Sequence, residues 1–199
     1  MFARAISLRP LLVPLVAVAL SMLGIAVREG VSADALDGAL AVQAAYVELD
    51  HGVYQLHARI EYPLTPALLD ALRDGVTLSF DVATRVTRER RFWFDATVAE
   101  VTLRRELAYH TVSDRYVVRD VQSGDQQTFA TLEEALGFLS KVQGWPILVQ
   151  SQLADGERYR VSVRAEIRRG RLPASLRALL FWTNDWHRTS GWYSWNLAS

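Results

Sequence analysis

The chain has no cysteine, which excludes disulfides, thiolate metal sites and a cysteine nucleophile and leaves the redox compartment undecided. It is almost without lysine: of 22 basic residues only Lys141 is one, and arginine supplies the rest. It has no net charge, since 22 acidic residues balance the 22 basic ones; no overall field draws it toward nucleic acid or an anionic surface. Histidine is scarce, and His51, His57, His110 and His187 fall in no metal-ligand spacing such as H-E-x-x-H; His51 and His57 share strand parity and read as two exposed strand histidines. No glycine-rich phosphate loop and no G-x-S-x-G elbow occur. These patterns give no reason to expect a catalytic residue, a cofactor or a metal.

What is present begins with an apolar run. Arg4 and Arg9 precede an uncharged stretch from Leu11 to Val27, the layout of an export signal. Val31 and Ala33 then occupy the −3 and −1 positions for cleavage before Asp34. The expected organisation is a signal peptide or N-terminal membrane anchor over residues 1–33 and one extracytoplasmic domain over residues 34–199. The run suits a cleaved signal, with an anchor over residues 11–27 as the alternative; that anchor would give the chain its only membrane contact. Cleavage removes Arg4, Arg9, Arg28 and Glu29 and leaves 19 basic against 21 acidic residues, a charge of −2.

At 199 residues, half of them hydrophobic, the chain has material for one core. From Val42 onward the dominant period is two, as in strands with one wet and one buried face. In "VTLSFDVATRV", Val76, Leu78, Phe80, Val82 and Val86 are expected inward, and Thr77, Ser79, Asp81 and Arg85 toward water. "YRVSVRAEIRR" and "VYQLHARI" repeat the pattern, and further strands are expected at about Val42 to Leu49, Ala96 to Tyr109 and Arg115 to Val121. "TPALLDALRDG" predicts a helix with Thr65 as N-cap and Pro66 at its first position. "TLEEALGFLSK" predicts another, with Thr131 and Glu134 at capping-box spacing, and a third is expected from Pro173 to about Phe181. Strands and helices do not alternate regularly, so the fold class expected is mainly β with a few short helices (α+β). The architecture is a single-domain antiparallel β-sandwich or curved sheet.

Candidates for chemistry are few. Asp185, His187 and Ser190 or Ser194 supply the residue types of a nucleophilic triad, without the local sequence that exposes such a serine. "RERRFWF", Arg88 to Phe94, mixes cations and rings as single-strand nucleic-acid surfaces do. Outside the cytoplasm it reads instead as a strand end with Phe92 and Phe94 facing the core, and no nucleic acid is expected as a partner.

The end of the chain is rich where the rest is poor: of six tryptophans, Trp182, Trp186, Trp192 and Trp195 lie in its last 18 residues. An L-P-x-x-L segment (Leu172, Pro173, Leu176), then Trp186 and "SGWYSW", with the export signal, the central strands and the "FATLEEALGFL" helix, resembles a family of exported proteobacterial proteins known only as a domain of unknown function. The resemblance covers most of residues 36 to 197 and departs from the family at Ser175, where a second proline is common. It implies an envelope location and, because family members tend to be encoded beside a membrane sensor kinase, a link to signalling. It supplies no catalytic residues.

Three readings of the tail follow. Either its rings bury large areas and tie the tail to the sheet, or Trp186, Trp192, Tyr193 and Trp195 leave area exposed as an interaction surface, where tryptophan and arginine dominate binding energy. A membrane-interface position is a third. The function expected is a non-enzymatic periplasmic protein-interaction module whose partner is an envelope protein, a membrane sensor kinase being the candidate from the resemblance. The alternatives are a periplasmic small-ligand or lipid carrier and, behind it, an envelope hydrolase.

Overall fold

The computed structural model describes residues 40–90, 94–169 and 187–197, all within one compact unit, Ala33–Ser199. The helix expected at Pro173 to Phe181, the apolar run Leu11 to Val27, Trp182, Asp185 and Trp186 lie outside the described residues.

Among the described residues there are two α-helices and ten strands, the strands forming two antiparallel sheets, neither closed into a barrel. In chain order they are β1 (Ala41–Asp50), β2 (Val53–Glu61), α1 (Pro66–Arg73), β3 (Leu78–Arg88), β4 (Ala96–His110), β5 (Arg115–Asp120), β6 (Gln126–Phe129), α2 (Leu132–Leu139), β7 (Lys141–Val149), β8 (Tyr159–Arg169), β9 (His187–Thr189) and β10 (Tyr193–Asn196). A three-stranded sheet runs β1-β2-β7, and a seven-stranded sheet runs β10-β8-β3-β4-β5-β6 with β9 also on β8. The chain is thus the mainly β, single-domain α+β sandwich that its period of two predicts. Among the described residues no helix is long and apolar enough to cross a membrane.

Alternation sets what each strand buries. Leu78, Phe80, Val82 and Val86 of β3, Leu103 and Leu107 of β4, and Val161, Val163, Ala165 and Ile167 of β8 form one wall of the core, and Tyr54, Leu56 and Ile60 of β2 face it from the small sheet. Each fully buried aliphatic side chain contributes about 1.5–3 kcal/mol relative to exposure. The helices fill the flanks. Thr65 caps α1 by accepting from the Leu68 N–H at 3.1 Å, and its apolar stripe buries Leu68, Ala71 and Leu72. Thr131 and Glu134 make a reciprocal capping box on α2, which buries Leu132, Ala135, Leu136 and Leu139.

Three expectations need correction. Asp81 and Ser79 do lie on the outer face of β3, yet Asp81 is only 4% exposed and Ser79 is also buried; partner arginines on the neighbouring strands cover the carboxylate. Phe94 does not face the core but is 94% exposed, because the chain leaves β3 at Arg88 and rejoins β4 at Ala96, so strand parity does not apply between them. Phe92 lies outside the described residues. His51 is not on a strand with His57: with φ 46° for His51 and 79° for Gly52, the two form the tight β1–β2 turn, whose left-handed backbone matches the twist of its strands.

Candidate interaction surface

The C-terminal strands reach their places through a one-residue irregularity. Along β8, Thr189 pairs with Glu166 and Tyr193 with Val163, so the three residues Ser190, Gly191 and Trp192 oppose only Arg164 and Ala165. This is a β-bulge between β9 and β10. Ser190 makes it tolerable. Its N–H donates to the Ala165 carbonyl at 2.9 Å, its hydroxyl accepts from the Ala165 N–H at 3.0 Å, and the same hydroxyl donates to the Gly191 carbonyl at 2.8 Å.

Because strand side chains alternate, one extra residue exchanges the faces of everything beyond it. Trp195 pairs with Val161 and packs, half-buried, against the core, with the Tyr193 ring 5.8 Å away. Trp192 goes to the outer face, where the guanidinium carbons of Arg164 and Arg85 sit 4.6 Å and 5.2 Å from its ring centroid. The Nε atoms of both arginines are shielded and have no hydrogen-bond partner among the described residues, so the π face of Trp192 is the group set against them. Arg85 also reaches Glu100 at 3.1 Å. Trp192 remains 40% exposed and Tyr193 37%. Of the four expected surface residues, then, Trp192 and Trp195 lie on opposite faces of the sheet, Tyr193 sits beside Trp195, and Trp186 is outside the described residues.

The rest of this outer face is a ladder of charges. Arg104 of β4 grips Asp81 through Nε and Nη2 at 3.0 and 2.9 Å, Arg168 of β8 reaches the same carboxylate at 2.8 Å, and the Ser79 hydroxyl donates to it at 2.9 Å. Burial alone would raise the Asp81 pKa, but the hydrogen bonds from Arg104, Ser79 and Arg168 outweigh it and hold the carboxyl below its ordinary value. The Arg104 pKa is raised in turn by its bond to Asp81. Arg168 also lies 3.8 Å from Glu166, which meets His187 Nε2 at 3.0 Å. Arg160 pairs with Glu89 at the end of the same face.

This geometry also locates the residues of a notional triad. His187 meets Glu166, Ser190 is engaged with backbone groups, and the Ser194 hydroxyl is 2.9 Å from that of Ser162. Among the described residues no group of three or more His, Asp or Glu side chains is placed to hold a metal ion.

Sequence reasoning did not find Arg85 and Arg164 as companions of Trp192. The signal was local: "SG" before "WYSW" interrupts a strand whose partner, "YRVSVRAEIRR", alternates without a break.

The molecule is thus a two-sheet α+β sandwich whose last strands carry a bulge-set tryptophan on an arginine-rich outer face. Residues 38–196 match the family described as a domain of unknown function (DUF4390), and the chain belongs to that family. No curated protein and no solved structure matches it.

Proposed function

We propose that this protein is a non-enzymatic interaction module of the cell envelope, which binds a protein partner through Trp192 and the arginines beneath it. Residues 1–33 act as export signal or anchor, and residues 34–199 work in the periplasm. A membrane sensor kinase is the first partner to test, by the resemblance to exported proteobacterial proteins encoded beside such kinases. One observation carries the reading: the fold spends a bulge on turning Trp192 outward, where it is 40% exposed over Arg85 and Arg164. Partly exposed tryptophan and arginine in a fixed arrangement are what binding hot spots use.

The test is photocrosslinking in the cells that make the protein, with the probe in place of Trp192. The reading expects one envelope protein as the adduct, lost when Arg85 and Arg164 beneath the probe are both replaced by alanine. Adducts within the chain itself, or the same adduct from that double variant, would overturn it.

A further inference from the structure

A second surface, on the other sheet, has features that the Trp192 face does not explain. On the outer face of β1-β2-β7, the central strand carries His57 and Arg59, and both neighbouring strands are irregular beside them. In β1 the register shifts between Val42 and Ala44, leaving Gln43 as the extra residue; in β7 it shifts between Trp145 and Val142, leaving Gln143 and Gly144 across from His57. Gly144 takes φ 62° there, which a side chain would strain. Bulges re-aim side chains. Here both glutamine positions line a cleft of about 640 Å³ together with Tyr46, His57, Arg59 and Lys141, a size within the range of about 300–1,000 Å³ common for ligand clefts. It adjoins a second depression of about 440 Å³ that shares Gln43, Arg59 and Lys141.

The charges in this cleft are arranged at a cost. Arg59 and Lys141 are direct cross-strand partners, and like charges opposite each other destabilise a sheet pair. Neither forms an ion pair with a carboxylate among the described residues, and both are exposed. Ala44 pairs with Arg59 on its other side, so a small side chain leaves the guanidinium open. Lys141 is the only lysine of the chain. The carboxylates nearest the cleft are engaged at its ends: Glu61 accepts from Gln43 at 2.9 Å, and Glu48 lies 3.6 Å from His57.

Beside the cations is a platform. Tyr46 stacks on His57 with centroids 4.9 Å apart and planes 6° from parallel, and Tyr46 is 57% exposed. A ring held flat on one side and open on the other offers its face to the C–H face of a sugar. The amides of Gln43 and Gln143 both donate and accept, as hydroxyl groups require, and Arg59 presents a fork that fits a carboxylate in two bonds. We infer that this cleft binds an acidic saccharide: its carboxylate lies between Arg59 and Lys141, its ring on Tyr46 and its hydroxyls at the two glutamines. An acidic peptide would satisfy the cations but would leave the platform without a use.

The full-length purified chain is titrated calorimetrically with trigalacturonic acid, with the neutral trisaccharide of galactose and with hexaglutamate. Binding is expected for the acidic sugar alone. It should weaken by about tenfold or more in Arg59→Gln and in Lys141→Gln, weaken similarly in Tyr46→Ala, and be unchanged in Trp192→Ala. The two charge variants alter exposed side chains and relieve a like-charge pair, so a thermal midpoint no lower than the parent's checks that each is folded. No binding of trigalacturonic acid, equal binding of the neutral sugar, equal binding of hexaglutamate, or acidic-sugar binding that survives both charge variants would each overturn the assignment.

Discussion

The hydroxyl of Ser190 does the work of a strand carbonyl for Ala165, accepting its N–H at 3.0 Å where the bulge has pulled the backbone away. Both residues are buried, so the bond is made out of water. Ser190→Ala leaves the Ala165 N–H with no acceptor, which costs about 1–3 kcal/mol. Urea titration should show that loss, and a variant as stable as the parent would mean that water or a shifted backbone replaces the hydroxyl.

Deleting Gly191 restores continuous register along β8. Ser190 and Trp192 then oppose Ala165 and Arg164 one for one, so Trp192 keeps the outer face and Tyr193 stays opposite Val163. Tryptophan fluorescence and the urea midpoint should therefore stay close to the parent's. A large spectral shift or a large loss of stability would show that the irregularity itself, and not the register on either side of it, holds Trp192 over Arg85 and Arg164.

Trp192 and Trp195 should separate in stability. Trp192→Ala removes two partly exposed cation–π contacts, each about 0.5–1 kcal/mol, and should lower stability by about 1–2 kcal/mol. Trp195→Ala opens a hole against the core and should cost about 2–3 kcal/mol, below the roughly 3–5 of a fully buried tryptophan. Denaturant midpoints of the two variants measure this; the opposite order would make Trp192 the structural ring.

Asp81 should give the fold an acid limit. Its native pKa lies below the ordinary value of 3.8, so the stability it contributes is complete above that value and is lost as pH falls through the lower native pKa. Asp81→Asn should cost about 2–3 kcal/mol at neutral pH. That is less than the roughly 3–5 for breaking a fully buried pair, because Arg104 and Arg168 are each more than a third exposed and water screens them. The variant's stability should also fall less between pH 5 and pH 2 than the parent's; parallel curves would remove Asp81 from the acid response.

How much of this was legible in the sequence depends on whether the signal was local. The strands Val53–Glu61, Leu78–Arg88 and Tyr159–Arg169 alternate without interruption, and both helices announce themselves by Thr65 with Pro66 and by Thr131 with Glu134. Strand β7 carries Gly144 and Pro146 and breaks the period of two with its register shifts, so it reads as loop although it is an edge of the small sheet. Strand β6 is four residues, three of them polar, and is a strand only because β5 pairs with it. Asp81 reads as a wet residue because its burial depends on arginines 23 and 87 positions away. The tail's aromatics were visible at once, but which face each ring takes depends on counting residues between two pairings with β8, and that count exists only in the folded sheet.

The same tail has a consequence for the order of events during synthesis. Strands β9 and β10 cover one whole side of β8, the strand that carries the fully buried row Val161, Val163, Ala165 and Ile167. Until residues 187–196 arrive, that side of β8 is an unpaired edge of the kind that joins other chains. The domain therefore finishes closing only when nearly the last of its residues has emerged, and a chain stopped short of His187 would present a sticky edge rather than a slightly shortened protein.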